Sequence, residues 1–212
     1  MADFKFCGLT RHADAAFAAS LGAGYVGVIF AGGPRHQTPE SAASVLRDVG
    51  ATRVGVFGVD FRSLLPAAIG ETAISVAQLH SDPSPRDVDD ARALGAREVW
   101  ATVRIQGTEV PADFDAVSAA ADAVLLDAKV DGVLGGTGKA LAWVALAERL
   151  ASRRNGVRMV LAGGLTAENV REAVGAMHPD IVDVSSGVEA SPGIKDHERM
   201  RAFARAMRRG DG

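Results

Sequence analysis

The feature that most constrains the fold is a regular alternation of short apolar runs with alanine-rich amphipathic stretches along the 212 residues. Runs rich in β-branched and aliphatic residues predict strands, and the stretches between them predict helices. Eight strands are predicted in this way, over residues 4–7, 24–30, 53–58, 74–79, 98–103, 123–127, 158–162 and 180–185. Continuously apolar strands separated by helices indicate a parallel sheet that is covered by helices.

Eight β/α repeats in 212 residues lie at the short end of the size range of a closed (β/α)₈ barrel. We therefore predict the α/β class, with a single (β/α)₈ TIM barrel that spans residues 1–212 as one domain. An open doubly wound sheet is the alternative. The regular eightfold count and the lack of a long linker favour closure.

Local signals predict where several helices begin and end. Thr38, which is followed by proline and glutamate, and Thr166, which is followed two residues later by glutamate, predict helix starts. Gly50, Gly95 and Gly175 predict helix ends, because glycine readily adopts the left-handed conformation that closes a helix.

Composition and charge exclude several function classes. A net charge of -3 and a pI near 5.9 give no broad positive field for nucleic acid or an anionic membrane. A single cysteine, Cys7, excludes an internal disulfide and fits a reducing compartment. The first residues lack a signal-peptide pattern, and no apolar run reaches about 18 residues. We predict a soluble cytoplasmic protein that binds neither nucleic acid nor membranes.

Active sites of (β/α)₈ barrels lie at the C-terminal ends of the strands and on the loops that follow them. The polar residues at the predicted ends include Cys7, Gln78, His80, Arg104 and Asp127. A lone cysteine is more often a buried apolar residue than a reactive one. The carboxylate of Asp127, taken alone, suits a loop cap. The sequence contains no HExxH motif, no histidine pair at ligand spacing and no GxGxxG after a first strand, so we predict no metal and no redox cofactor.

Three glycine-rich loops predict a phosphate site. They follow the sixth, seventh and eighth predicted strands, and glycine lets backbone N–H groups approach an anion closely. One such loop alone would equally serve a tight turn between strand and helix, but loops after strands 7 and 8 are the recurrent phosphate position of this fold. The candidate phosphate-binding residues are Gly136, Gly138, Gly163, Gly164, Ser185, Ser186 and Gly187.

Several motifs stand in the order and spacing of one family. They are KFCGLT (5–10), QLH (78–80), LLDA (125–128), GGTG (135–138), LAGGLTAENV (161–170) and DVSSGVE (183–189). With them the chain resembles the phosphoribosylanthranilate isomerases over essentially its whole length. The resemblance implies a cofactor-free enzyme of tryptophan biosynthesis. Its reaction is an Amadori rearrangement of N-(5-phosphoribosyl)anthranilate to 1-(o-carboxyphenylamino)-1-deoxyribulose 5-phosphate. The state it favours is a monomer rather than a homodimer.

The resemblance also implies roles for individual residues. Cys7 is expected to be the base that removes the C2 proton, and Asp127 the acid that protonates the ribose ring oxygen. Arg35 is expected to pair with the anthranilate carboxylate, whose planar shape suits a guanidinium group. Gln78 and His80 are expected to line the substrate pocket, and a structural role suits His80 better than a chemical one.

Both proposed catalytic groups need an altered pKa. A free thiol has a pKa of about 8.5 and is only a few per cent thiolate at neutral pH, so Cys7 needs an electropositive setting. Lys5 shares the strand parity of Cys7, so it either supplies that charge from beneath or is a core lysine paired with a carboxylate. Asp127 needs partial desolvation in order to stay protonated.

Three other functions remain as alternatives. Indole-glycerol-phosphate synthase resembles this barrel but relies on strand lysines, and of the four lysines only Lys5 lies on a predicted strand. A bifunctional isomerase of histidine and tryptophan synthesis usually carries aspartate at the position of Cys7. A non-catalytic or different phosphosugar-binding barrel would keep the glycine loops but would have no need of Cys7 and Asp127.

Overall fold

The computed structural model describes residues 2–129, 137–153 and 155–208. In these residues eight parallel strands close into one barrel in chain order, because β8 pairs with β1. The strands are β1 (Asp3–Phe6), β2 (Tyr25–Ile29), β3 (Thr52–Phe57), β4 (Val76–Leu79), β5 (Glu98–Gln106), β6 (Ala123–Lys129), β7 (Arg158–Ala162) and β8 (Ile181–Val184). The predicted (β/α)₈ barrel is confirmed.

Eight α-helices alternate with these strands. They are α1 (His12–Ser20), α2 (Pro39–Leu46), α3 (Phe61–Thr72), α4 (Pro85–Ala93), α5 (Phe114–Ala120), α6 (Thr137–Ala151), α7 (Val170–Met177) and α8 (His197–Arg208). A 3₁₀ turn (Ser186–Val188) and an antiparallel hairpin of β9 (Glu189–Ser191) and β10 (Ile194–Lys195) lie between β8 and α8. In the described ranges no helix is long and apolar enough to cross a bilayer.

Two of the predicted helix ends are confirmed. Thr38 caps α2 through a capping box with Ser41, in which each side chain accepts a hydrogen bond from the backbone N–H of the other residue. Gly95 follows the last turn of α4 and has a φ of 103°, the left-handed backbone that favours glycine.

Three predicted helix ends are wrong. The N–H of Thr166 donates to the side chain of Asn169 (2.8 Å), so these residues form a turn and α7 begins at Val170. Gly175 lies inside α7, which continues to the buried Met177 because packing against the core outweighs the local glycine signal. The helix α2 already ends at Leu46, before Gly50.

The predicted strand over residues 158–162 coincides with β7, and the other seven differ from the observed strands by one to three residues at an end. β1 ends at Phe6, so Cys7 lies just beyond it, although its N–H still donates to the carbonyl of Val184 (2.9 Å). β5 and β6 extend past their predicted ends because they pair with each other as far as Gln106 and Lys129.

Apolar side chains fill the barrel in two layers. One cluster lies inside the ring of strands, and it contains Val54, Val76, Trp100, Leu125, Val160 and Ile181. A larger cluster lies between the strands and the surrounding helices, where Phe6, Phe57 and Phe203 are fully buried. The interior of the barrel is therefore packed, and the residues at its mouth rest on a solid apolar floor.

Candidate active site

A cavity of about 440 Å³ opens at the mouth formed by the C-terminal ends of the strands. It brings together most of the residues that the sequence analysis selected: Cys7, Arg35, Gln78, His80, Asp127, Gly163, Gly164, Ser185, Ser186 and Gly187. Gly136 lies outside the described residues. Gly138 is the second residue of α6. The roles of all these residues stay predictions.

Cys7 lies at the floor of this mouth, where it is 5 % exposed. The next residue, Gly8, has a φ of 69° and leaves room for Arg35, because a Cβ on Gly8 would lie 2.6 Å from Cδ of that arginine. Burial raises the pKa of the Cys7 thiol, and the ammonium groups of Lys5 and Lys195 oppose this rise only in part. The thiol form is therefore favoured in the cavity as described.

Lys5 is both a core lysine paired with a carboxylate and a positive charge beneath Cys7, the two roles that its strand position predicted as alternatives. Its side chain is fully buried in the barrel interior, where its ammonium group donates to Oε1 of Gln78 (2.7 Å) and Oδ2 of Asp183 (2.9 Å). Burial alone would lower the pKa of Lys5, but Asp183 and Cys7 raise it above the ordinary value. A protonated lysine thus pairs with a carboxylate beneath the thiol.

Arg35 is held by a carboxylate that the sequence analysis gave no role. Its Nε and Nη2 donate to the two carboxylate oxygens of Glu189, at 2.7 and 2.6 Å. The same carboxylate accepts from Nζ of Lys195 (2.9 Å), which also donates to the backbone oxygen of Ser185 (3.1 Å). Burial opposes ionisation of Glu189, but the two cations outweigh it and lower its pKa to about 2. The hairpin thereby fixes one edge of the Arg35 guanidinium.

Asp127 lies on β6 at the other side of the cavity and is 21 % exposed. Its Oδ2 lies 3.9 Å from Nε2 of His80. The Nδ1 of His80 is 3.2 Å from the hydroxyl of Thr102 and 3.4 Å from the amide nitrogen of Gln78. Burial lowers the pKa of His80, although Asp127 opposes the shift, so the imidazole is neutral at pH 7.

The loops after β7 and β8 pack directly against each other. Gly163 and Gly164 have φ values of 94° and 62°, a backbone that favours glycine. A Cβ on Gly187 would lie 1.9 Å from the carbonyl oxygen of Leu165, so only glycine fits there. These loops meet on one wall of the cavity, as an anion site would require. In the described part of the chain no group of three or more His, Cys, Asp or Glu side chains could hold a metal ion.

Comparison with known proteins settles the family. Residues 4–206 match the family model described as "N-(5'phosphoribosyl)anthranilate (PRA) isomerase". The chain belongs to this family. An N-(5'-phosphoribosyl)anthranilate isomerase of Paracoccus denitrificans is 42% identical over 208 residues, which cover 94% of each chain. One from Pseudomonas fluorescens is 38% identical over 213 residues, 96% of this chain and 97% of the relative. The chain is thus a phosphoribosylanthranilate isomerase, an enzyme of tryptophan biosynthesis.

Solved phosphoribosylanthranilate isomerases have the same fold. The crystal structure of the Thermus thermophilus protein is similar with a TM-score of 0.80 and 32% identity, covering 97% of this chain and 98% of that chain. Another family member was solved in complex with reduced 1-(o-carboxyphenylamino)-1-deoxyribulose 5-phosphate, and it matches with a TM-score of 0.81, 29% identity and the same coverage.

The sequence analysis of this isomerase missed three charged residues at the mouth. Asp183, Glu189 and Lys195 lie inside or beside the motifs that carry the resemblance, yet their sequence positions gave no sign of their partners. A charged residue in a buried strand was the available signal for Asp183. The expectation that only Lys5 lies on a strand is wrong, because Lys129 ends β6 and Lys195 lies on β10. β6 extends beyond its apolar run, and β10 is a two-residue strand of the hairpin, so composition revealed neither position.

Proposed function

We propose that this isomerase rearranges N-(5-phosphoribosyl)anthranilate with Cys7 as the base and Asp127 as the acid. The observation that carries the proposal is that both side chains line one cavity, which they reach from β1 and from β6. Two groups on different walls suit a reaction in which one acts on the ring oxygen and the other on C2.

The reaction proceeds by a series of proton transfers, and Asp127 and Cys7 carry out the first two. Asp127 gives its proton to the ribose ring oxygen, the C1–O bond breaks, and the anthranilate nitrogen forms a Schiff base with C1. The Cys7 thiolate then takes the proton from C2, and the electrons of the C2–H bond form an enol-amine. This intermediate becomes the C2 ketone when C1 accepts a proton and the hydroxyl on C2 loses one, and the product is the 1-amino-1-deoxyketose.

Both groups must differ from their state in ordinary solution. Asp127 has to keep a proton at neutral pH, and substrate that fills the cavity would remove water from its carboxyl group and favour that form. Cys7 has to lose its proton, which costs about 2 kcal/mol for an ordinary thiol at pH 7 and more for one whose pKa is raised by burial. The cations around Cys7 reduce this cost.

Substrate binding is proposed to use the rest of the cavity wall. The glycine loops after β7 and β8, together with Gly136 and Gly138, would bind the 5-phosphate. Arg35 would hold the anthranilate carboxylate through the edge of its guanidinium that Glu189 leaves open. Gln78 and His80 would line the pocket. The reduced product analogue bound by a relative has both a phosphate and an aromatic carboxylate. A monomeric state, a cytoplasmic location and the lack of a cofactor stay predictions.

The test follows the fluorescence of freshly generated phosphoribosylanthranilate after mixing with enzyme. We expect rapid loss of substrate signal with the wild type, and rates lower by about 10²-fold or more for Cys7→Ser and for Asp127→Asn. Asp89→Asn, on the exposed surface of α4, is the matched control and should keep the wild-type rate.

Phosphate affinity is measured beside the rates. Both active-site variants should bind inorganic phosphate as the wild type does, because neither residue belongs to the glycine loops. Variants that keep the wild-type rate would refute the assignment of base and acid. A wild type that binds phosphate but leaves the substrate unchanged would instead support a non-catalytic phosphosugar-binding barrel.

A further inference from the structure

The ammonium group of Lys5 lies inside the barrel, next to the thiol of Cys7. The two residues are two positions apart at the end of β1, so both side chains point inward. Two of the three hydrogens on the Lys5 nitrogen are used by Gln78 (2.7 Å) and Asp183 (2.9 Å). The thiol of Cys7 lies near this ammonium group, whose charge opposes the rise that burial causes in the pKa of the thiol.

Gly27 on the neighbouring strand β2 shows how closely these two groups are packed. A Cβ on Gly27 would lie 2.8 Å from Cε of Lys5, 3.1 Å from Sγ of Cys7 and 3.3 Å from Nζ of Lys5. A single carbon atom added to Gly27 would therefore contact both the sulfur and the ammonium nitrogen. The glycine leaves the room in which the lysine and the thiol meet.

Charged groups face Cys7 from four elements. Lys5 approaches from β1, Asp183 from β8, Lys195 from β10, and Arg35 from the loop after β2. Arg35 and Lys195 share the carboxylate of Glu189, which offsets part of their charge. Among the described ion pairs, the charge of Lys5 is balanced only by the carboxylate of Asp183.

Asp183 depends on Lys5 in turn. One carboxylate oxygen accepts from Lys5, and the other, Oδ1, is buried with no hydrogen-bond partner in the described ranges. Its charge therefore remains effective at short range, since no other donor of the described residues disperses it. The cation and the carboxylate act on the thiol in opposite directions.

From this arrangement we infer that Lys5 and Asp183 are positioning residues that set the charge around Cys7 and act on the reaction through its thiol. Lys5 stabilises the thiolate, and Asp183 both holds Lys5 in place and limits its effect. The consequence for catalysis rests on the proposed function, in which Lys5 lets the buried thiol of Cys7 serve as a base. The stabilisation of the thiolate by Lys5 does not depend on that function.

The test uses the fact that Cys7 is the only cysteine of the chain. Alkylation by iodoacetamide, followed by intact-protein mass, therefore reports on this thiolate alone and needs no substrate. The rate is measured from pH 6 to pH 11 for the wild type, Lys5→Gln, Asp183→Asn and the double variant. Asp89→Asn serves as the matched surface control.

We expect opposite shifts of the alkylation midpoint. Lys5→Gln should move it upward by roughly one to two pH units, because the thiolate loses its cation. Asp183→Asn should move it downward, because the opposing charge is removed while the side chain keeps its shape. Asp89→Asn should leave it in place. Shifts of the same sign for the two single variants, or no shift in either, would overturn the inference.

The double variant protects the test against misfolding. Lys5→Gln alone leaves Asp183 buried without its cation, and the protein could fail to fold. The double variant buries neither charge and differs from Asp183→Asn only by the loss of Lys5. At equal pH we expect its alkylation to be at least about tenfold slower than that of Asp183→Asn. Equal rates in these two proteins would contradict a role for Lys5.

The pH profile of kcat/KM separates this inference from the proposed function. If Cys7 is the base, the acidic limb of the profile should move with the alkylation midpoint in each variant. An alkylation midpoint that moves while the acidic limb stays fixed would keep the effect of Lys5 and refute Cys7 as the base. A midpoint that stays fixed would refute the inference even if Cys7→Ser is inactive.

Discussion

The two sides of the cavity are built differently. Around Cys7, charged groups are paired at short distances: Arg35 and Lys195 hold Glu189 at 2.6 to 2.9 Å, and Glu189 and Lys195 are buried while Arg35 is partly exposed. Around Asp127, the described ion-pair partner is His80 at 3.9 Å, and both side chains are partly exposed. On the Cys7 side the charged groups form close ion pairs with one another, whereas on the Asp127 side they retain access to water.

Because of this difference, we expect substitutions on the two sides to affect the stability of the fold and the activity of the enzyme to different degrees. A paired, buried carboxylate is costly to remove, because its partners stay behind as unpaired charges. A partly exposed carboxylate with a distant partner contributes little to folding, so its removal should cost activity alone. We therefore expect variants on the Cys7 side to lose stability and variants of Asp127 to keep it.

The largest expected effect is that of Glu189→Ala. Because it leaves Arg35 and Lys195 without their shared partner, we expect the free energy of unfolding to fall by about 3 to 5 kcal/mol. The measurement is urea unfolding at pH 7 followed by circular dichroism. Glu198→Ala, which removes an exposed carboxylate on α8, is the control and should change stability by less than about 1 kcal/mol. Equal losses in the two variants would remove the distinction.

Asp127→Ala is the counterpart on the other side. We expect its free energy of unfolding to stay within about 0.5 kcal/mol of the wild type, because its described ion-pair partner, His80, is 3.9 Å away. Its rate should nevertheless fall by about 10²-fold or more. A large loss of stability would mean that Asp127 is as tightly paired as Glu189, and the contrast between the two sides would be wrong.

Gly187→Ala tests whether the glycine loops after β7 and β8, like the ion pairs near Cys7, contribute to the stability of the fold. The added Cβ would lie 1.9 Å from the carbonyl oxygen of Leu165, so the loops after β7 and β8 must move apart. We expect a loss of about 1 to 3 kcal/mol in stability and weaker binding of inorganic phosphate. Gly175→Ala, inside α7 with open space around it, should instead stabilise the protein by about 0.5 to 1 kcal/mol. Unchanged phosphate binding in Gly187→Ala would separate these loops from the anion.

The pH dependence of stability offers a smaller effect. The folded pKa of Glu189 is about 2, below its ordinary value of 4.5, so its ionised form stabilises the folded state. That stabilisation is complete above about pH 4.5 and is lost as the pH falls towards 2. Over this window we expect the wild type to lose about 1 kcal/mol more than Glu189→Gln, once solvent screening is considered. If the free energies of unfolding of the wild type and Glu189→Gln, measured in urea, changed in parallel with pH, the ion pairs of Glu189 with Arg35 and Lys195 would be contradicted.

The sequence was sufficient to predict the barrel because its signals are local. Each apolar run is visible in four to seven neighbouring residues, and eight such runs in series are compatible with few topologies. Cys7 and Asp127 stand where such runs end, so the same signals place both residues at the mouth, while their roles stay predictions. The errors concern ends of elements, as at Gly175, where packing of a buried methionine outweighs a local signal.

The charge pairs could not be predicted because they depend on closure of the barrel. Lys5 and Asp183 are 178 residues apart and meet only because β8 returns to pair with β1. Arg35 and Glu189 are separated by 154 residues and meet because the hairpin after β8 folds over the mouth. The sequence left two readings of Lys5 open for this reason, and the structure unites them.

The smallest expected effect is that of Arg104→Ala, at the rim near Asp127. Arg104 and Asp82 form an ion pair of 2.7 Å, about as short as the pair of Arg35 and Glu189, but both side chains are more than half exposed. Water screens such a pair, and two long side chains lose freedom in forming it, so we expect a change below about 1 kcal/mol in urea unfolding. A loss as large as that of Glu189→Ala would show that distance, rather than burial, decides what an ion pair contributes in this barrel.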